Sequence, residues 1–118
     1  MKLLIIGSRG ILDFDISPYI PDDTDLIISG GATGIDSIAE AYADSHRLSK
    51  LILRPQYAKY GRAAPLHRNE AMINQADQVL VIWDGVSKGT QYSIQYAKKM
   101  QKKIMVLRSD GTLWEEYL

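Results

Sequence analysis

Apolar residues in this chain gather into short continuous runs and seldom alternate with polar ones. The runs fall at 3–6, 26–28, 51–53, 79–83 and 104–107 and are rich in Ile, Leu and Val. Alternation marks a strand with one wet face, whereas an unbroken run suits a strand covered on both faces, as in a parallel sheet. The intervening segments carry helical spacing. Ile35, Ile38, Ala39, Tyr42 and Ala43 form one apolar stripe, which leaves Glu40 and Asp44 for the solvent side. Pro65 suits the first position of a helix reaching about Ala76, with Leu66, Asn69, Ile73 and Ala76 on its inward face. A third helix is predicted from Thr90 through Met100, where Lys98 and Lys99 complement the negative dipole end. The segment 11–25 differs, because two prolines and five aspartates leave room for about one turn from Pro18. The resulting order, β-(short α)-β-α-β-α-β-α-β, predicts a doubly wound α/β sandwich: a five-stranded parallel sheet, order 3-2-1-4-5, with helices on both faces. Its switch point lies between the first and fourth strands, where open α/β sheets bind ligands at the carboxyl ends of the strands.

Three of the runs end in glycine-rich, hydroxyl-bearing turns. They are Gly7-Ser8-Arg9-Gly10, Ser29-Gly30-Gly31-Ala32-Thr33-Gly34, and Asp84-Gly85-Val86-Ser87-Lys88-Gly89-Thr90. Glycine allows close approach of backbone to ligand, and a helix N-terminus offers free N–H groups and a positive dipole end. Three such turns on one sheet edge point to a phosphate-bearing ligand. The spacing departs from both common fingerprints. There is no G-x-G-x-x-G, and no acidic residue closes the second strand to hold a ribose. Lys88 precedes Gly89, so the Walker order is missing as well. A mononucleotide-sized ligand held by backbone amides and hydroxyls remains.

At 118 residues the chain reads as one domain, 1–118, around a single core. Lys+Arg and Asp+Glu both number 14, so no global field draws nucleic acid or an anionic membrane. Cysteine is absent, which removes disulfides, thiolate metal sites and cysteine nucleophiles. No apolar stretch approaches the ~20 residues of a membrane span, and a cytoplasmic protein is expected. His46 and His67 lack a ligand cluster, so no metal is expected and no cofactor is required; His67 beside Arg68 is at most a proton carrier.

The cations change the picture locally. Arg9, Arg54, Arg62, Arg68 and Lys88 all fall on the predicted carboxyl edge. Two or three charge-assisted hydrogen bonds, at ~1.5–3 kcal/mol each, outweigh a helix-end dipole at ~0.3–1 kcal/mol. Asp36 suits the first turn of its helix, and Asn69 needs polar partners if it packs inward. Tyr57 and Tyr60 can stack on a base or pack beneath a loop. Tyr92 and Tyr96, four apart, form either a self-association face or part of the core.

Taken in order, Gly7-Ser8-Arg9, Ser29 through Asp36, Tyr60-Gly61-Arg62-Ala63-Ala64-Pro65, Arg68-Asn69-Glu70-Ala71-Met72 and Trp83 through Thr90 resemble the SLOG superfamily of Rossmann-like proteins, most closely its small YspA-type members. The resemblance spans nearly the whole chain. It implies a Rossmann-like fold, a homodimer, and a nucleotide or nucleotide-derived ligand held by Gly7, Ser8, Arg9, Gly30, Gly31, Thr33, Gly34, Asp36, Arg68, Asn69, Asp84, Gly85, Ser87, Gly89 and Thr90. Binding or sensing of that ligand is the leading expectation. The related LOG-type phosphoribohydrolases, which cleave a base from a nucleoside monophosphate, supply the alternative. Their arginine matches Arg68, but Ser93 stands where their glutamate belongs, and a serine cannot be the carboxylate that steadies an oxocarbenium-like centre. Whether the chain is an enzyme therefore stays open, with Arg68, Asp36, Glu70 and Asp84 as catalytic candidates. Ser29 through Asp36 is also similar to the G-G-A-x-G-I-D stretch of the DNA-processing A proteins. Single-stranded nucleic acid binding is thus the third reading, disfavoured by the neutral charge.

Overall fold

The computed structural model describes residues 1–117. Its chain forms an α/β structure with a mostly parallel six-stranded sheet. The strands are β1 (Lys2–Gly7), β2 (Leu26–Ser29), β3 (Ser49–Ile52), β4 (Gln78–Trp83), β5 (Lys103–Arg108) and β6 (Leu113–Tyr117). The helices are α1 (Ile35–Ser45), α2 (Tyr57–Tyr60), α3 (Ala64–Gln75) and α4 (Lys88–Lys99). The sheet order is β3-β2-β1-β4-β5-β6. The five-strand order read from the sequence is therefore present, with one strand added.

That addition corrects the sequence reading. β6 runs antiparallel to β5, pairing Tyr117 with Ile104 and Leu113 with Leu107. Its residues are mostly exposed, so no continuous apolar run announces it. Two contacts hold it in place: the Trp114 ring sits 4.9 Å from Trp83, and Glu115 meets Lys98 of α4 at 2.7 Å. The first crossover is as short as its prolines require, a single 3-10 turn at Ser17–Tyr19.

Burial explains the continuous runs. Leu4, Ile6, Val79, Val81, Ile104 and Val106 face one way, under Met72, Ile73, Ile94 and Ala97 of α3 and α4. Leu3, Ile5, Leu80, Ile82 and Leu107 face the other, under Ile35, Ala39 and Ala43 of α1 and Ile11 and Ile16 of the first crossover. Fully burying one such side chain contributes about 1.5–3 kcal/mol. Two departures from the helical stripes follow. Glu40 is only half-exposed and accepts a hydrogen bond from the Ser29 hydroxyl at 3.2 Å. On α3, Leu66 is exposed and Asn69 half-buried, and the buried positions are Ala64, Met72 and Ile73. Leu66 and Asn69 border a cleft at the carboxyl edge of the sheet.

Candidate functional site

β1 and β4 are direct neighbours, and their carboxyl ends diverge into loops that close different sides of a cleft. Ser8 ties the two loops together. Its buried hydroxyl accepts the Asp84 N–H at 3.0 Å and lies 3.2 Å from the Ser87 hydroxyl. The cleft has a volume of about 340 Å³ and is walled by Gly7 to Gly10, by Asp36, by Pro65, Leu66, Arg68 and Asn69 of α3, and by the start of α4. A second cleft of about 450 Å³ adjoins it over Gly30, Gly31, Thr33, Arg54 and Tyr57. Arg9, Ala32 and Arg68 belong to both. These volumes suit small-molecule ligands.

Arg68 stands at the junction. Its Nη1 donates to the carbonyl oxygens of Gly30 at 2.7 Å and Leu53 at 3.3 Å, and Nε donates to Asn69 Oδ1 at 2.8 Å. Asn69 thus holds the guanidinium's orientation, which is why an amide occupies this turn of α3. Among the described residues, no carboxylate lies within 4.0 Å of Arg68, Arg9 or Arg54. Burial pulls the Arg68 pKa below its ordinary value; the Asp36 charge opposes that shift and the Arg9 charge adds to it. The guanidinium stays protonated regardless. A half-buried cation with no carboxylate in direct contact is costly to maintain, and the cost falls when an anion enters.

Asp36 is the carboxylate of the first cleft. Its Oδ2 accepts the Ala32 N–H at 3.1 Å. Burial raises its pKa, against the opposing effects of that hydrogen bond and of Arg68. Ser93 is buried in the cleft wall and spends its hydroxyl proton on the Gly89 carbonyl at 3.1 Å. At the start of α4, Gly89 and Thr90 line the cleft, and first-turn N–H groups have no partner within a helix.

The remaining candidates sit elsewhere. Asp84 lines neither cleft: it accepts the N–H groups of Val86 and Ser87 at 2.9 and 2.8 Å and the Ser87 hydroxyl at 2.8 Å. Burial pushes its carboxyl up, yet these bonds prevail and the pKa lies below the ordinary value. Asp84 therefore shapes the third turn. Glu70 faces away and takes the Tyr92 hydroxyl. Tyr96 likewise reaches Asn74 of α3 at 2.9 Å, so both tyrosines lace α4 to α3. Arg62, Lys88, Gly34 and Gly85 line neither cleft.

Two glycines have a different reason from ligand approach. A Cβ on Gly7 would sit 2.4 Å from the Ile82 carbonyl oxygen and 2.6 Å from Ile35. At Gly34, φ is +75° and a Cβ would meet the Arg9 carbonyl oxygen at 2.5 Å. Both permit close packing of α1 and the loops. Sequence reasoning did not reach the apolar part of the lining, Leu66 and Met72 of α3. Helical spacing assigns such residues to the core, where Met72 packs at the cleft floor, while Leu66 is exposed at the cleft.

Tyr60 stacks on His67 with ring centroids 3.9 Å apart, which occupies one of its faces. The described residues hold no metal-ligand cluster, and no helix is long and apolar enough to cross a membrane. Comparison with protein-family models, curated proteins and solved structures finds no match.

Proposed function

We propose that this chain binds a nucleotide or nucleotide-derived ligand at the carboxyl edge of the sheet, as a small Rossmann-like protein of the SLOG kind. One observation carries the reading: Arg68 is half-buried, held by three hydrogen bonds, and faces two adjoining clefts with no carboxylate in contact. The ligand's phosphate sits between Arg9, Arg68 and the first turn of α4, where cations and free N–H groups converge. The cleft also has an apolar wall at Leu66 and Met72 against which a sugar or base packs.

A hydrolase reading rests on Asp36, the single carboxylate lining either cleft, whose raised pKa is the environment of a general acid. Against it, Asp36 is committed to the Ala32 N–H and Ser93 offers no carboxylate. Binding without cleavage is the better-supported function. A stretched nucleic acid strand is a poor fit to a partly enclosed cleft on a chain of balanced charge.

The test is calorimetry with the four common nucleoside 5′-monophosphates, followed by chromatography of each mixture for free base. Saturable binding without base release is expected, and Arg68→Ala should weaken the binding by roughly ten- to hundredfold. Absence of binding by all four and by the corresponding 5′-diphosphates overturns the proposal. Base release that disappears in Asp36→Asn replaces it with the hydrolase reading.

A further inference from the structure

The basic lining extends beyond the space one phosphate needs. Arg54 follows β3, is exposed, and donates from Nη1 to the Gly31 carbonyl at 3.2 Å. Arg68 is pinned in the same way to the carbonyl of Gly30, the preceding residue. The second glycine turn therefore carries two guanidinium groups on consecutive carbonyls, and consecutive α-carbons are about 3.8 Å apart. A Cβ on either glycine would strike its arginine, at 2.6 Å from Nη1 in both cases. The paired glycines thus make room for cations, and the backbone holds both in place.

The clefts follow the same line. Arg9 and Arg68 border the first and second; Arg54 and Arg68 border the second and a third of about 340 Å³ that reaches the Tyr60–His67 stack. Tyr57 stands in the second with 60% of its surface exposed. Resting on the nucleotide-binding reading above, the geometry points to a second anion subsite at Arg54, so that the ligand carries at least two phosphate groups. The phosphate nearer the sugar lies at the Arg9–Arg68 junction. The further one lies beside Arg54, in the cleft that Tyr57 also lines. The proposed ligand is thus a nucleoside carrying a diphosphate or longer phosphate chain, where the sequence led to the expectation of a mononucleotide-sized ligand.

The experiment compares nucleoside 5′-monophosphates and 5′-diphosphates of adenosine, guanosine, cytidine and uridine by calorimetry, on the wild type, Arg54→Ala and Arg54→Lys. The wild type should bind the diphosphate of at least one nucleoside about tenfold or more tighter than its monophosphate. Arg54→Ala should remove most of that ratio and leave monophosphate affinity within about twofold, while Arg54→Lys keeps part of it. Arg54 is exposed, so neither variant disturbs the core. Equal affinity for mono- and diphosphates in the wild type overturns the second subsite and leaves nucleotide binding standing. A ratio that survives in Arg54→Ala also overturns the assignment to Arg54. No binding of either series overturns both readings together.

Discussion

The two ends of the parallel strands treat their charges in opposite ways. At the amino end, cations meet acids: the Met1 ammonium lies 2.9 Å from Asp25, and Lys50 lies 2.9 Å from Asp44. Asp77 there accepts the Lys2 N–H at 2.8 Å, and the Lys102 ammonium donates to the Ala76 carbonyl at 2.8 Å. At the carboxyl end, Arg9, Arg54 and Arg68 surround open clefts, and the described residues put no carboxylate in contact with them. Loops at the amino end close the chain with ordinary surface pairs. Loops at the carboxyl end leave positive charge to be answered from outside. Equal totals of acid and base conceal that asymmetry.

The largest effect comes from closing the carboxyl end sterically. Gly7→Ala drives a methyl into the Ile82 carbonyl and the Ile35 side chain, and should cost about 3 kcal/mol by urea denaturation. Arg68→Ala comes next. Losing charge-assisted hydrogen bonds worth about 1.5–3 kcal/mol should weaken nucleotide binding by roughly ten- to hundredfold in calorimetry. A smaller loss would make Arg68 a strut for Gly30 and Leu53 and dissolve the contrast between the ends.

Asp36→Asn should act more gently and with a definite pH dependence. Burial raises the folded-state pKa of Asp36, so its contribution is full below the ordinary value of 3.8 and is lost as pH rises through the folded value. The variant escapes that loss. Its urea midpoint should match the wild type at the acid end and exceed it at neutral pH, and its affinity for nucleotide should rise by about two- to fivefold as a nearby negative charge is removed. An unchanged difference between the two proteins across the pH range would show that Asp36 is ionised without penalty.

The smallest change is expected from Asp25→Asn at the amino end. The hydrogen bond from the Met1 ammonium holds the Asp25 pKa below 3.8, so its contribution is present above that value and lost as pH falls through the folded one. The pair is exposed and screened by salt. The variant should show a marginally lower midpoint at neutral pH in low salt, none in high salt, and unaltered nucleotide binding. A binding defect there would break the separation of the two ends.

Legibility followed the physics of each region. The five parallel strands were readable because burial on both faces demands unbroken apolar runs. β6 was not, since an edge strand half in water carries a mixed sequence; the Trp83–Trp114 contact is what assigns Trp114 to the sheet. In the site, Arg9 was readable from its place in the loop after the first strand, and Arg68 from its place near the start of the helix predicted at Pro65. The roles of Asp84 and Glu70 were not, because a carboxylate's role depends on which donors it faces. Asp84 faces its own loop, and Glu70 faces Tyr92.

By itself the sequence determined the parallel sheet, its switch point and the set of cations at one edge, since these follow from periodicity and from residue order along the chain. Only the tertiary structure decided which of those cations converge. Arg9, Arg54 and Arg68 meet around the second glycine turn while Arg62 and Lys88 do not. Convergence is set by the carbonyls of Gly30 and Gly31, which hold the guanidinium groups of Arg68 and Arg54. Such distances arise between segments remote in sequence, where no local spacing encodes them.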